Sequence, residues 1–476
     1  MINYNEFITN EKSMLIAPAG FGKTYTIVEC LKHTQLKGRQ LILTHTHAGV
    51  ASIKEKIKRE GIASSNYSIE TISSFAQKYV LSFYIGIDIP EQEDSKNYYP
   101  FIIEKAITLL KIKPIKEIIS NTYNGLFVDE YQDCTIIQHE LILVLSELLP
   151  TRILGDFLQG IFGFNGENLV NLESKTEMGE FQKSYYKLDQ PQRWLNGNNL
   201  LLGENLKDIR NSLIQKEKID LSKYPSIETN LIKEFDLYDF KKDYNKLIRS
   251  LLDEKDLLIL HPDSTSINPR LKFIKLFNNR ITLIESIDDK TFYKTSKDAD
   301  SITTENIYQY LISISHQLFN KSGLDNWFNE KGFKRKTKES DKILISPIMN
   351  KINSIEEKIS FSLFSEILKD IKELSGIKCY RKELFNSFCL ALEDAEYSNI
   401  SVLEAMTKKR NLTRRVGRKI YGKSIGTTLL TKGLEFDTVV ILNAHKFECP
   451  KHLYVALTRA SKRLIIFTES KTLKPY

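Results

Sequence analysis

The sequence predicts an α/β protein built as two parallel-sheet lobes with mainly helical insertions, and three observations carry that expectation. Short apolar runs alternate with helical stretches over the first 190 residues, and the same alternation returns in the last sixty. Between them, from about residue 265 to 415, the chain is rich in Lys, Ile, Asn and Ser at helical spacing with few glycines. Apolar runs of strand length that end in small or polar residues are the signature of strands buried on both faces of a parallel sheet.

In chain order, Met14 to Ile16, Leu41 to Leu43, Leu126 to Val128 and Arg152 to Leu154 read as the strands of the first sheet. Asp256 to Leu260 reads as a strand ahead of the helical block. Thr438 to Leu442 and Leu464 to Phe467 follow it as strands around a helical Tyr454 to Arg459. The expected organisation is a first lobe over 1–188 with a small helical insertion at about 76–124. The second lobe takes 189–300 plus 416–476 and is interrupted by a helical insertion at about 301–415. No repeat of fixed period is present.

Composition excludes several classes. At 476 residues the chain has room for two to four domains of roughly 150 residues. With 41% hydrophobic and 27% charged residues it is neither disordered nor fibrous. No apolar run approaches the roughly 18 residues needed to span a bilayer, and the first dozen residues lack the apolar block of a signal peptide, so a cytoplasmic protein without a membrane partner is expected. Five scattered cysteines, with no C-x-x-C pair, suggest neither a disulfide framework nor a thiolate zinc site. His45 and His47, the one close histidine pair, would share a face of an extended strand. A net charge of +8 permits a polyanionic partner without establishing one.

Two motifs carry chemistry. Ala17-Pro18-Ala19-Gly20-Phe21-Gly22-Lys23-Thr24 follows a strand and opens a helix. Gly20 and Gly22 let the backbone amides curl around a phosphate, Lys23 reaches the β/γ oxygens of a nucleotide, and the Thr24 hydroxyl suits Mg²⁺. Ala17 stands where the usual first glycine would be. Leu126-Phe-Val-Asp129-Glu130 then delivers two carboxylates at the end of a buried strand, where ligands of open α/β sheets sit. Asp129 would hold the Mg²⁺, and Glu130 would polarise the water that attacks the γ-phosphate of ATP.

With these residues in place the sequence resembles the UvrD/Rep-type helicases of superfamily one, whose lobes are RecA-like. Leu154-Gly-Asp-Phe-Leu-Gln159 with Gly160-Ile-Phe162-Gly-Phe164 resembles the third motif, whose glutamine links the γ-phosphate to bound DNA. Thr431-Lys-Gly-Leu-Glu435 and Tyr454-Val-Ala-Leu-Thr-Arg459 resemble the last two motifs. The resemblance covers about half of the chain. It implies that Glu435 contacts the ribose and that Arg459 and Arg193 are arginine fingers on the transferring phosphoryl group. Such a finger is worth about 10³ to 10⁵ in rate in related enzymes.

On the DNA side, the resemblance makes Phe162 and Phe164 base-stacking aromatics, with core packing as their other reading. Thr44, His45 and Thr46 resemble the motif in which hydroxyls meet phosphates, with His45 where a stacking Phe is usual. Thr71 opens a further DNA-contacting segment or simply caps a helix. Basic runs at Lys408 to Lys419, with seven Lys/Arg in twelve residues, and at Lys331 to Lys338 are phosphate contacts or solvated faces.

The chain departs from the family at several points. No glutamine precedes Gln35, and Gln192 stands where an adenine-stacking aromatic is usual, which bears on nucleotide selectivity. Motif III carries Phe157-Leu158 for Pro-Lys, and Leu429-Leu430 replace His-Ser, which bears on coupling between hydrolysis and movement. The first-lobe insertion is short, and no room is expected for a nuclease domain. A reduced chain of this size resembles the helicase component of Gabija-type antiphage systems, which implies a partner nuclease of the overcoming-lysogenization-defect (OLD/TOPRIM) type.

Two functions of different class follow. One is an ATP-dependent translocase or helicase on single-stranded or tailed DNA, which the resemblance implies moves 3′ to 5′, in DNA processing or antiphage defence. The other is a nucleotide-gated DNA sensor that licenses a partner nuclease without unwinding. A P-loop kinase or small-molecule ATPase is disfavoured, because it requires no pair of arginine-bearing lobes.

Overall fold

The computed structural model describes residues 2–33, 36–92, 94–161, 168–263, 265–278, 280–284, 289–329, 332–416 and 422–476. The chain divides into two compact units, Met1–Ile284 with Arg415–Tyr476, and Glu285–Arg414.

The first unit holds two six-stranded sheets, and every strand pair in both is parallel. β1 (Lys12–Ile16), β2 (Gln40–Thr44), β3 (Tyr67–Thr71), β4 (Gly125–Val128), β5 (Thr151–Gly155) and β6 (Tyr185–Lys187) form the first, in the order β3-β2-β4-β5-β1-β6. Parallel neighbours need crossovers, and helices supply them. α1 (Tyr4–Thr9), α2 (Lys23–Lys32) and α3 (His47–Arg59) cover one face through Phe7, Ile27 and Ile53. The other face lies under α4 (Ile72–Phe83), α5 (Ser95–Leu110), α6 (Lys113–Thr122) and α7 (Ile136–Ser146), with Phe75, Ile102, Ile119 and Ile142 in its core.

A short α8 (Lys175–Met178), then α9 (Gln192–Asn196) and α10 (Leu200–Ile214), lead to the second sheet. Its strands are β8 (Ile227–Leu231), β9 (Leu257–Leu260), β10 (Thr282–Leu283), β13 (Lys423–Gly426), β14 (Phe436–Ile441) and β15 (Ala460–Thr468), in the order β10-β13-β9-β14-β15-β8. In β14, Val439 and Ile441 face a core shared with α10 and α21 (Pro450–Leu457). Val440 faces the core shared with α11 (Asp243–Leu251) and α12 (Asn268–Leu276). This period of two is why both faces of the strand had to be apolar. β7 (Ile219–Asp220) pairs antiparallel with β16 (Thr472–Leu473), and the four-residue α20 (Thr428–Thr431) follows β13.

The second unit is helical: α13 (Asp289–Asp300), α14 (Ile307–Leu318), α15 (Lys321–Trp327), α16 (Glu339–Glu357), α17 (Phe361–Glu373), α18 (Lys382–Ser398) and α19 (Val402–Val416). Among the described residues a two-stranded antiparallel ribbon pairs β11 (Phe328–Asn329) with β12 (Gly332–Phe333). Phe364, Leu368, Phe388 and Leu392, at helical spacing, lie in a core of its own.

The α/β architecture is therefore the expected one. The strands that apolar runs did not announce are mostly sheet edges: β3, β6, β8 and β10, whose outer faces are only partly covered. Among the described residues no helix is long and apolar enough to cross a membrane.

Candidate nucleotide site

The phosphate-binding loop joins β1 to α2. Gly20 and Gly22 both adopt positive φ, +76° and +102°, and Gly22 is the N-cap of α2. A helix N-terminus reached by such a turn presents amides to an anion. The ammonium of Lys23, buried, donates to Ala17 O at 2.9 Å. Thr24 Oγ1 lies 3.4 Å from Asp129 Oδ2, so the strand end of β4 and the first turn of α2 converge on one point. A hydroxyl and a carboxylate there are hard oxygen donors that fit Mg²⁺, whose remaining ligands in such sites are phosphate and water.

Glu130 follows with φ +56°, a left-handed conformation costly for a non-glycine residue and typical of functional positions. Gln132 donates its side-chain amide to the Glu130 carboxylate. Burial would raise the Glu130 carboxyl, but Lys23, Lys432, the Gln132 bond and Arg459 outweigh it and hold it below the usual carboxylate range. Asp129 moves the other way, raised by burial and by the Glu130 charge beside it. Two adjacent carboxylates thus occupy different electrostatic environments.

These residues line a cavity of about 1240 Å³ together with Thr44, His45, Thr46, Lys56, Gln159, Gln192, Arg193, Lys432, Glu435 and Arg459. Gln159 donates to Asp156 Oδ2 at 3.2 Å. Arg193 Nε pairs with Glu435 Oε2 at 2.8 Å, and Arg193 also donates to the Thr458 carbonyl. Arg459 donates to Val455 O and Leu434 O, both at 2.9 Å, and burial pulls its guanidinium down to about 10. Both arginines and Glu435 are therefore held together on the wall facing the phosphate loop.

The residues expected on the DNA side fare differently. Thr44 is buried, and Thr46 Oγ1 caps α3 by accepting Gly49 N at 3.0 Å. His45 and His47 do not share a strand face, because β2 ends at Thr44 and His47 opens α3. His45 Nε2 instead lies 3.5 Å from Cys134 Sγ, and burial holds the imidazole down to about 3. Thr71 caps α4, accepting Ser74 N at 3.0 Å and donating to Ser74 Oγ at 2.8 Å, and it does not line the cavity. Phe162 and Phe164 lie outside the described residues, as do the side chains from 411 onward in the basic run. Lys408 and Lys409 pair with Glu404 and Asp394 at 2.8 and 2.7 Å. In the other run, Lys334 and Lys336 donate to carbonyls of Asp325 and Asn326 in the last turn of α15.

Several residues that sequence reasoning left unassigned join the site. Lys432, buried, pairs with Asp133 and donates to the Gln159 carbonyl. Lys432 lies inside the Thr431 to Glu435 motif, and Asp133 follows Glu130 by three residues, so the signal was present. Tyr25 lines the cavity as an exposed aromatic, and a Cβ built at Gly22 would meet both Gln192 Cγ and Tyr25 Cβ, at 3.5 and 3.9 Å. Lys56 could have been found by period: Gly49, Ser52, Lys56 and Arg59 all line the cavity from α3.

Residues 3–165 match the family model of an AAA domain, and residues 338–468 match that of the viral superfamily 1 RNA helicase core domain. The Gabija protein GajB of Bacillus cereus is 22% identical over 396 residues, covering 79% of this chain and 70% of GajB. The exonuclease/helicase subunit RexA of Lactococcus lactis subsp. cremoris is 29% identical over 138 residues, covering 29% of this chain and 10% of RexA. The chain thus spans only a small part of RexA. Among solved structures, Arterivirus nonstructural protein 10 (helicase) with DNA covers 97% of this chain and 63% of its own, at 11% identity and a TM-score of 0.34. From its motifs and the family and sequence matches, the chain is similar to the superfamily one helicases of UvrD-like type, and the matched helicase domains support an ATP-dependent enzyme.

Proposed function

We propose that the chain is an ATP-driven translocase on single-stranded or tailed DNA, moving 3′ to 5′, that acts with a nuclease partner in antiphage defence or DNA processing. Each sheet is the core of one RecA-like lobe, 1–188 and 189–300 plus 416–476, with insertions at about 76–124 and 301–415. The observation that carries the reading is the shared cavity. Lys23, Thr24, Asp129, Glu130 and Gln159 reach it from the first sheet, and Arg193, Glu435 and Arg459 come from chain beyond that sheet. A nucleotide held there makes hydrolysis depend on how closely the two lobes approach, which is the physical requirement of a motor.

In this reading Glu130, anionic at neutral pH, takes the proton of the attacking water. Gln159 orients that water, while Arg193 and Arg459 exchange carbonyl and carboxylate partners for phosphoryl oxygens. Thr24 and Asp129 would hold Mg²⁺, which supplies charge neutralisation when bound. The likeness to GajB supports the Gabija reading, and the defence role and nuclease partner are what that resemblance implies.

The test is ATP hydrolysis with and without single-stranded DNA, together with unwinding of 3′- and 5′-tailed duplexes. DNA-stimulated hydrolysis that Lys23→Ala or Glu130→Gln abolishes, with unwinding of the 3′-tailed duplex alone, is expected. Stimulated hydrolysis without strand displacement, alone or with the partner, would instead support nucleotide-gated DNA sensing.

A further inference from the structure

Asp156, fully buried just beyond β5, is a hub that none of the assigned roles uses. Its backbone N–H donates to Gln132 Oε1 at 2.9 Å, and Gln132 in turn holds the Glu130 carboxylate. Its own carboxylate accepts Gln159 Nε2 at 3.2 Å and Arg210 Nη2 at 2.9 Å. The Tyr454 hydroxyl, whose electrostatic neighbours are Asp156 and Arg210, receives the Ala19 N–H of the phosphate loop at 3.0 Å. One residue therefore links, through its backbone N–H, the group that would activate water and, through its carboxylate, the glutamine that would orient that water and the cation of α10.

Arg210 lies on α10 and Tyr454 on α21, helices that share the core of the second sheet. The Arg210–Asp156 pair is nearly dry, with side-chain exposures of 11% and 0%. A buried carboxylate stripped of its countercharge is strongly unfavourable, so the hub is stable only while α10 and α21 sit against it. Arg210 also lies over the Phe157 ring at 5.3 Å, a second contact that holds the guanidinium in place.

We propose that Arg210 and Tyr454 are positioning residues for ATP hydrolysis, acting through Asp156 to hold Gln159 and Glu130 in working geometry only when the two sheets are together. The inference rests on the motor reading above. Neither residue needs to touch the nucleotide. Both report the presence of the second sheet to groups on the first, so they affect turnover and leave nucleotide capture by Lys23 and Thr24 intact.

The experiment measures kcat and KM for ATP, with saturating single-stranded DNA, in wild type, Arg210→Met, Arg210→Lys, Tyr454→Phe and the double variant Arg210→Met/Tyr454→Phe. We expect kcat to fall about 10- to 100-fold in Arg210→Met and about tenfold in Tyr454→Phe, with KM within about threefold. Arg210→Lys recovers part of the rate. The double variant is about as slow as Arg210→Met, because both residues act through one carboxylate. Tyr454→Phe removes one oxygen and keeps the ring, so it tests the inference even if Arg210→Met fails to fold. Rates within about twofold of wild type in Tyr454→Phe, or losses that multiply in the double variant, would overturn the inference and leave the motor reading standing. A wild-type chain that hydrolyses no ATP sinks both.

Discussion

At Gly20 the backbone is left-handed, φ +76°, and a Cβ built there would lie 2.8 Å from the Trp194 ring. Trp194 is fully buried and its indole donates to Ala460 O at 2.9 Å, so the ring has nowhere to retreat. Gly20→Ala combines backbone strain with overpacking and should cost about 2 to 4 kcal/mol, read from the urea midpoint. The two capping threonines separate by their protons. Thr71 accepts one hydrogen bond and donates another, whereas Thr46 accepts from Gly49 and, among the described residues, donates to none. Each Thr→Ala should cost about 1 kcal/mol of stability. Thr46→Ala alone should also weaken single-stranded DNA binding, as measured by fluorescence anisotropy. Tyr25, 54% exposed beside the phosphate loop, offers an aromatic face where Gln192 offers none. Tyr25→Ala should raise KM for ATP about tenfold at unchanged kcat, since stacking on a base is worth about 1 to 3 kcal/mol.

At the scale of elements, what the sequence showed depended on where each strand lies in its sheet. β4 and β9 are central, buried on both faces and continuously apolar, and β14 is central with an apolar run from Val439 to Ile441, so all three were legible. β8 reads Ile-Glu-Thr-Asn-Leu because it is an edge with one face in water, and no apolar run marks it. β5 hides a different feature. Arg152 is buried within it and donates to Pro150 O at 3.0 Å, to Asn10 O at 3.3 Å and to the Ile8 carbonyl, fastening α1 to the sheet. A cation serving backbone carbonyls leaves no pattern in composition. His261, just past β9, is buried beside Arg270, and burial holds its imidazole down to about 4. The fold keeps it neutral while the unfolded chain protonates near 6.5, so its stabilisation is complete above that pH and is lost as pH falls toward 4. Between pH 7 and pH 5 this amounts to about 2 kcal/mol. His261→Gln should flatten the pH dependence of the denaturation midpoint over that window, and an unchanged slope would show that another group controls it.

Across the whole first unit, the motifs named most of the site, because each sits at a strand end or helix start that local sequence dictates. The contacts made between distant motifs were not legible, since they exist only once the two sheets meet. Lys432 is the clearest of these. It comes from the turn before β14, and its ammonium is enclosed by the Asp133 carboxylate and the Gln159 carbonyl, which follow β4 and β5. Burial lowers its pKa while the charges of Asp133 and Glu130 raise it, with burial prevailing. Two opposite charges taken out of water together are tolerable, but one alone is not. Lys432→Met should therefore cost about 3 to 5 kcal/mol, because Asp133 is left buried without its countercharge. Adding Asp133→Leu removes that stranded carboxylate, and the double variant should regain at least about half of the loss, as read by guanidinium denaturation. If the penalties of the two single variants simply add, the pair is not what joins the sheets. If the double variant recovers stability but hydrolyses ATP slowly, the ion pair serves turnover by fixing the Gln159 backbone, and its stabilising effect is incidental.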